Sequence, residues 1–475
     1  MAAVRLRLMD KSEEDLIHVL SLKVLREIGV LVRSPSVLNM LKKAGAEVDD
    51  KRMIAKIPES LVNDTLKKAP KEILCAARDP KYDMKLPVQS WPYMATTGLA
   101  IVMKDLESGK TRETTRKDLA DFARLADALP QVDYFWPCVT AGDVPQQVHT
   151  IHELWTSLQY QTKHIEGDSI SAIDARKQIE LASMLVGGEK ELKKRPIFSV
   201  VSCPIAPLSF EKGSIEGQVE FAKAGIPISS LSMSLSGGSA PVTLAGTLVN
   251  ANAENLASIA ITQIASPGAP HIYGSNSTPI DMNTGNIDYT AVEQPIISAG
   301  LGQMAARYKL PCQLSDWGVD AEDCGVLKTF SELTSTTLTN FCGSDLAQGM
   351  GSWGHAKGAA LEQVVIDAYA WENYRLLINK FTVNKETAAV DVMKEVGHGG
   401  TYLTNPHTMK SFKKELHFRN KKTVSWEATM SQKMVPEAKE IAKKLLKEHT
   451  VKQIDKEIVK KGDELIRSYE KSSIP

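Results

Sequence analysis

Residues Ser232–Thr247 read S-M-S-L-S-G-G-S-A-P-V-T-L-A-G-T. The stretch leaves an apolar, strand-like run (Pro227–Met233) and opens the helical pattern Val242–Ile264. The same order of strand, small-residue loop and helix returns around H-I-Y-G-S-N-S-T-P-I-D-M-N-T-G (His271–Gly285). It returns again at Q-L-S-D-W-G-V-D-A-E-D (Gln313–Asp323) and F-C-G-S-D-L-A-Q-G-M-G-S-W-G-H (Phe341–His355). Working outward gives eight apolar segments: one near Met94, then Val132–Val139, Lys163–Gly167, Ile197–Cys203, Pro227–Met233, Ala269–Gly274, Pro311–Ser315 and Asn340–Ser344. Ala172–Leu185, Val242–Ile264, Thr290–Tyr308 and Leu361–Ile378 supply clear helices between or after them. Strands alternating with helices predict a parallel sheet, and eight of them predict closure into an α/β (β/α)8 TIM barrel. The loops after the strands then gather at the end where enzymes of this fold place their chemistry.

The flanks read differently. Residues 12–70 carry helical periods, with Ser12 as a predicted N-cap before Glu13, Glu14 and Asp15. Three parts follow: an N-terminal helical extension over 1–90, a barrel catalytic domain over 91–380, and a Gly-rich segment with helices packing on the barrel over 381–475. From Pro436 the Lys/Glu patterning predicts a surface helix pair.

Composition narrows the function. The 57 basic and 57 acidic residues cancel, which argues against a nucleic-acid or membrane surface. No apolar run approaches the roughly 20 residues that span a bilayer. The start, M-A-A-V-R-L-R-L-M-D-K, carries charge where a signal peptide needs an apolar core, so a cytoplasmic protein is expected. The six cysteines form no C-x-x-C pair and are expected to be reduced.

Three motifs suggest sites. Gly349-x-Gly351-x-x-Gly354 matches a dinucleotide fingerprint, but Trp353 crowds the space a pyrophosphate needs, so a close-packed loop is expected. His149 and His152 stand at i,i+3, a zinc-capable spacing without an evident third ligand. Asp316, Asp320, Glu322 and Asp323 are able to hold Mg2+ but also suit a helix N-terminus. No metal is expected. Aromatics near strand ends, including Trp91, Tyr93, Tyr134, Trp136, Tyr273, Trp317, Phe341 and Trp353, suit a caged ammonium held by ring faces.

Ordered blocks then carry a resemblance: A-P-V-T-L-A-G-T-L (Ala240–Leu248), N-A-E-N-L-A (Asn252–Ala257), Q-I-A-S-P-G-A-P (Gln263–Pro270), D-M-N-T-G (Asp281–Gly285), L-E-Q-V-V-I-D (Leu361–Asp367) and E-V-G-H-G-G-T-Y-L-T-N-P-H-T (Glu395–Thr408). From about residue 10 to 430 the chain resembles the trimethylamine methyltransferase-like family of corrinoid-dependent methyltransferases. Family members acting on trimethylamine carry pyrrolysine, whereas this chain has only standard residues around the corresponding Leu314–Gly318. The resemblance therefore implies a member that demethylates quaternary amines in anaerobic methylotrophic metabolism. Glycine betaine is the first substrate expected, ahead of proline betaine, carnitine and γ-butyrobetaine. It also implies a cognate corrinoid protein as partner, cobalamin-type cofactor carried by that partner and none tightly bound here, and a homo-oligomer. A non-catalytic betaine-binding barrel is the alternative of different class, and a metal-dependent barrel lyase is a third.

The expected substrate-binding residues are Tyr93, Trp136, Trp317 and Trp353 as the cage, with Phe341 and Tyr273 behind. His355, His164, Asn276, Ser275, Gln348 and the N–H groups of Gly237-Gly238 are the expected donors to a substrate carboxylate. No catalytic side chain is assigned.

Overall fold

The computed structural model describes residues 6–88, 91–289, 291–316, 324–325, 336–354, 356–377, 382–415 and 433–473. Eight strands close into a barrel: β1 (Tyr93–Thr96), β2 (Tyr134–Phe135), β3 (His164–Gly167), β4 (Phe198–Val201), β5 (Ile228–Ser232), β6 (His271–Ser275), β7 (Cys312–Asp316) and β8 (Leu346–Met350). Each pairs in parallel with the next, and β8 returns to β1. The helices around them include α1 (Arg116–Ala128), α2 (His149–Tyr160), α3 (Ala172–Val186), α4 (Lys212–Ala224), α5 (Leu244–Ala265), α6 (Glu293–Tyr308) and α7 (Leu361–Leu377).

The last barrel strand lies later than expected. Asn340–Ser344 was the expected segment, but residues 336–341 are helical and the strand is Leu346–Met350. Gly343, at φ +103°, turns the chain out of the helix. An apolar pair such as Phe341-Cys342 suits a helix end as well as a strand, and period alone does not separate them.

The N-terminal part is not helical alone. Helices Lys11–Glu27, Pro35–Lys43 and Glu59–Lys68 alternate with strands Val30–Val32, Glu47–Asp49 and Ile54–Lys56. Val30–Val32 also pairs in parallel with Ser209–Phe210, beyond β4, so a partner distant in sequence completes this sheet. Runs of three residues show no period until that partner is present. The first helix is capped by Asp10 rather than Ser12: the Asp10 carboxylate accepts from the Glu13 N–H at 2.9 Å, and Glu13 reaches back.

Helix α5 explains one of the family blocks. Its face toward the barrel carries Asn252, Glu254 and Asn255, all buried. Asn255 accepts from the Ser230 hydroxyl and donates to the Gly274 carbonyl, at 2.7 and 2.9 Å. Glu254 accepts from the Ser232 hydroxyl and the Leu208 N–H, at 2.5 and 2.8 Å. The N-A-E-N-L-A block thus fastens β5 and β6 from outside the barrel.

At the barrel's N-terminal end the hairpin Ile73–Cys75/Met84–Leu86 acts as a plug. Its Ile73, Cys75, Met84 and Leu86 pack with Ala95, Tyr134, Ile272 and Leu346 from the strands. The C-terminal helices Met434–Glu448 and Lys456–Ser473 lie against the outer helices. Gly462 makes the second contact possible, because a Cβ there would fall 2.3 Å from the Trp155 ring. That ring is fixed by its N–H bond to Asp463, at 2.8 Å. Gly462→Val should therefore cost about 1–3 kcal/mol, the usual range for overpacking. Chemical denaturation of the variant beside the wild type checks it; equal midpoints would mean the ring moves aside freely.

Candidate active site

Side chains alternate along a strand, so every second residue of the barrel faces its interior. The lowest layer is apolar, with Ala95, Tyr134, Ile272 and Leu346 resting on the plug. Above it lies a polar layer of Glu166 from β3, Ser229 from β5, Gln313 from β7 and Gln348 from β8, each no more than 2% exposed. Gln313 is the hub. Its amide N–H2 donates to Glu166 Oε2 at 2.7 Å and to Gln348 Oε1 at 2.5 Å, and its oxygen accepts from the Ser229 hydroxyl at 2.5 Å. Glu166 Oε1 is buried with no hydrogen-bond partner among the described residues.

Beyond this layer, at the C-terminal ends of the strands, follow Asp168, Cys203 and Asn276. Asn276 also buries an oxygen, Oδ1, without a partner among the described residues. Cys203 is exposed, within reach of the charges on Asp168 and Glu166. Enclosure, then the Glu153 carboxylate, holds Asp168 well above the usual carboxylate range. Burial likewise pushes Asp174 up to about 6. The mouth therefore concentrates acids.

Burial pushes Glu166 up to about 7, against the opposing Gln313 hydrogen bond. A carboxyl whose folded value exceeds its unfolded one retains an extra proton when folded. Its contribution favours the fold at low pH and is lost as the pH rises from about 4.5 to about 7. Titratable groups around it are Cys75 from the plug and Asp168 and Cys203 from the mouth, and Asp168 acts in the same direction. Between pH 5 and pH 8 the melting temperature should fall further for wild type than for Glu166→Gln. Identical pH profiles for the two would show that Glu166 is already ionised at pH 5.

The expected site residues scatter. Trp136 stands directly after β2 at the mouth. Its backbone N–H donates to Thr96 Oγ1 at 3.1 Å, and its half-buried ring fills the space over Gly98, where a Cβ would lie 2.4 Å away. Trp353 follows β8 at the same end and lies over Gly358; its indole N–H is buried without a partner among the described residues. Asn276 and Gln348 belong to the mouth and the polar layer as described.

The others need correcting. Tyr93 begins β1 and so lies at the plugged end, lining a cavity of about 840 Å³ with Trp91, Lys85 and Leu86. Tyr273 faces outward: its hydroxyl donates to Asn252 of α5 at 3.0 Å, and its ring sits 6.3 Å from that of Tyr308 in α6. Phe341 precedes β8, and its carbonyl accepts from the Leu6 N–H, away from the mouth. His164 has both ring nitrogens engaged, by the Ala76 carbonyl at 2.7 Å and the Ser199 hydroxyl at 2.9 Å, and burial lowers it to about 4. The Ser275 hydroxyl donates to Ser277 at 2.9 Å. The N–H groups of Gly237 and Gly238 donate to Ala240 and Leu235 within their own turn. Trp317 and His355 lie outside the described residues, as do Asp320, Glu322 and Asp323.

The histidine pair does not converge. His149 meets the Gln146 carbonyl at 2.6 Å, whereas His152 meets Glu470 at 2.8 Å. Among the described residues no three His, Cys, Asp or Glu side chains are grouped to hold a metal ion. The G-x-G-x-x-G run turns at φ +114°, +91° and +61°, and a Cβ at Gly351 would meet Val364 at 2.5 Å. It is a packed loop.

Glu166, Asp168 and Gln313 were not singled out by sequence reading. An acid inside a strand pattern was the available signal: among the eight strands only Glu166 and Asp316 are carboxylates, and none contains Lys or Arg.

With this geometry in place, likeness to known proteins decides the family. A family model described as trimethylamine methyltransferase (MTTB) matches residues 2–472. The chain belongs to the trimethylamine methyltransferase family. It is 32% identical to the trimethylamine methyltransferase of Desulfitobacterium hafniense over 399 residues, covering 84% of this chain and 80% of that one. It is 31% identical to its Methanosarcina barkeri counterpart over 484 residues, covering 99% and 96%. A glycine betaine methyltransferase of Desulfitobacterium hafniense is 26% identical over 403 residues, covering 84% and 83%. Among solved structures, the monomethylamine methyltransferase of Methanosarcina barkeri superposes with a TM-score of 0.50 at 11% identity, covering 92% and 93%. That likeness concerns the barrel fold alone. The chain is thus a family methyltransferase built on a (β/α)8 barrel, and no helix among its described residues is long and apolar enough to cross a membrane.

Proposed function

We propose that this chain moves a methyl group from a quaternary amine to the Co(I) of a partner corrinoid protein. The carrying observation is the barrel interior: an indole at the mouth, unpartnered acceptor oxygens within, and strands without Lys or Arg. Ring faces and acceptor oxygens suit a cation that has no N–H to donate. Glycine betaine, giving dimethylglycine, is the first substrate to test because a relative bears that activity in its name. Proline betaine, carnitine and γ-butyrobetaine follow.

In the reaction one N–CH3 bond breaks and its electron pair stays on nitrogen, which leaves as a neutral tertiary amine. No acid is needed for that departure. The corrinoid Co(I) supplies the nucleophile that accepts the methyl group. This chain's part is to strip water from the cation and aim one methyl group out of the mouth, which is catalysis by positioning. Trp136 and Trp353 flank the cation, while Glu166 and Asn276 present oxygens to the polarised methyl groups.

The acceptor is too large to enter the barrel, so its carrier must cover the mouth. The rim suits a protein surface. Ile101, Ile173, Ile205, Val242, Met282 and Val292 all follow C-terminal strand ends and are exposed, and exposed apolar clusters of this kind mark interaction sites.

The test is anaerobic. Reduced cob(I)alamin is mixed with the protein and each quaternary amine, and conversion of Co(I) to methyl-Co(III) is followed by absorbance, then repeated with a corrinoid protein. Enzyme-dependent conversion with a quaternary amine is expected. Ligand binding without conversion in either format would instead indicate a binding barrel.

A further inference from the structure

One stretch of the chain has local structure but no core. Residues 382–415 carry the helices Lys385–Ala388, Val390–Val396 and Pro406–Glu415 and enclose the family block Glu395–Thr408. Hydrogen bonds within the stretch set its turns. The Asn384 side chain accepts from the Thr387 N–H at 2.8 Å, and the Tyr402 carbonyl accepts from the Asn405 N–H at 3.1 Å and the Thr408 hydroxyl at 2.7 Å. Yet none of residues 382–412 is buried. Val383, Val390, Met393, Tyr402, Leu403 and Met409 are all exposed, Val383 and Leu403 by 80% and 78%. Helices this short are marginal in water, where about 12–15 residues are needed for stability alone, so this arm requires a surface to pack on.

The same chain presents such a surface. Its first helix, Lys11–Glu27, buries Ile17, Leu22 and Leu25 in the core it shares with α5. The opposite side of that helix carries Leu16, Val19 and Leu20 at i, i+3 and i+4, all exposed. A surface helix is apolar where it meets its core and polar on the other side; this one is apolar on both. Charge agrees as well. Residues 382–415 hold five Lys against four acids, and Lys11–Glu27 holds three basic residues against four acids, so a slightly positive arm would meet a slightly negative helix. The arm alone is long enough to supply the roughly 20–30 residues a side that a standard interface uses. It is also rooted away from the mouth: α7 starts beside the mouth at Leu361 and ends at Leu377, about 25 Å along the barrel at 1.5 Å per residue.

We propose that residues 382–415 form an exchange arm that packs on a second copy of this chain, along the Leu16, Val19 and Leu20 side of that copy's first helix. Each copy gives one arm and receives one, either reciprocally in a two-fold dimer or in sequence around a closed ring. Burial of Met393, Tyr402 and Leu403 against the neighbouring copy gives the short helices the tertiary support that they lack alone. Neither surface belongs to the barrel mouth, so the arrangement is independent of which amine is demethylated.

The experiment is sedimentation velocity of the full chain for wild type, for Met393→Glu with Leu403→Glu, and for Leu16→Glu with Leu20→Glu. All four positions are exposed, so each double variant should keep the wild-type circular dichroism. Wild type should sediment as two or more copies and each double variant as one copy, a drop in mass of at least about twofold. Wild type sedimenting as a single copy would overturn the proposal, and that measurement stands even if a variant fails to fold. A folded arm variant that keeps the wild-type mass would overturn the arm as the contact. If that variant also loses transfer to a corrinoid protein while keeping transfer to free cob(I)alamin, the arm serves the carrier instead. A helix variant that keeps the wild-type mass, beside a dissociated arm variant, would overturn Leu16 and Leu20 as the receiving side.

Discussion

Changing Val242 and Met282 together to glutamate should cut methyl transfer to a corrinoid protein by about tenfold or more, since docking would then bury two unpaired carboxylates, each costing more than about 1 kcal/mol. The two residues are 68% and 73% exposed. They are also neighbours: both come within 3.6 Å of the point where a Gly237 Cβ would sit. Neither enters the barrel, so transfer to free cob(I)alamin should change by no more than about twofold. The contrast between the two acceptors is the measurement. Equal losses with both would mean that the loops distort the substrate site, and no loss with either would place the partner elsewhere on the rim. Added negative charge at an already acidic mouth also predicts that salt partly restores the double variant, because exposed charges are screened over about 8 Å at physiological ionic strength.

Trp136→Ala should lower quaternary-amine turnover by about tenfold or more with the fold intact, the loss that accompanies about 1.4 kcal/mol of transition-state stabilisation. Its backbone is held independently of the ring: the N–H donates to Thr96 Oγ1, and that hydroxyl donates to the Trp136 carbonyl at 2.5 Å. Truncation should therefore leave the strand end in place. Gly98→Ala offers a complementary probe. Its new Cβ would stand 2.4 Å from the indole and force the ring aside without deleting it. Both variants should lose turnover if the ring's position matters. Unchanged kinetics in both would remove Trp136 from the cation site, leaving Trp353 and the acceptor oxygens.

The barrel was legible in the chain before any contact was known. Ile228–Ser232 and Cys312–Asp316 fall within one residue of the runs that patterning marks, because buried parallel strands are continuous apolar runs bounded by loops. The site was only half legible. Trp136 and Asn276 stand at the mouth, as their places directly after strands led one to expect. Tyr93 and Tyr273 were misplaced because residue type does not say which end of a strand, or which face, a ring occupies.

By itself, then, the sequence determined the alternation of strands and helices, the family, and a mouth whose loops after β2 to β6 lack Lys and Arg. Those follow from local period and composition, which need no partner residues. Tertiary structure alone decided that Glu166 meets Gln313 across the barrel, 147 positions away in the chain. It also decided that His164 is spent on Ala76 and Ser199, and that Glu166 Oε1 is buried without a partner among the described residues. Closure of the barrel sets those outcomes. A polar group's hydrogen-bond partners, and hence its charge, depend on what the opposite wall brings to it.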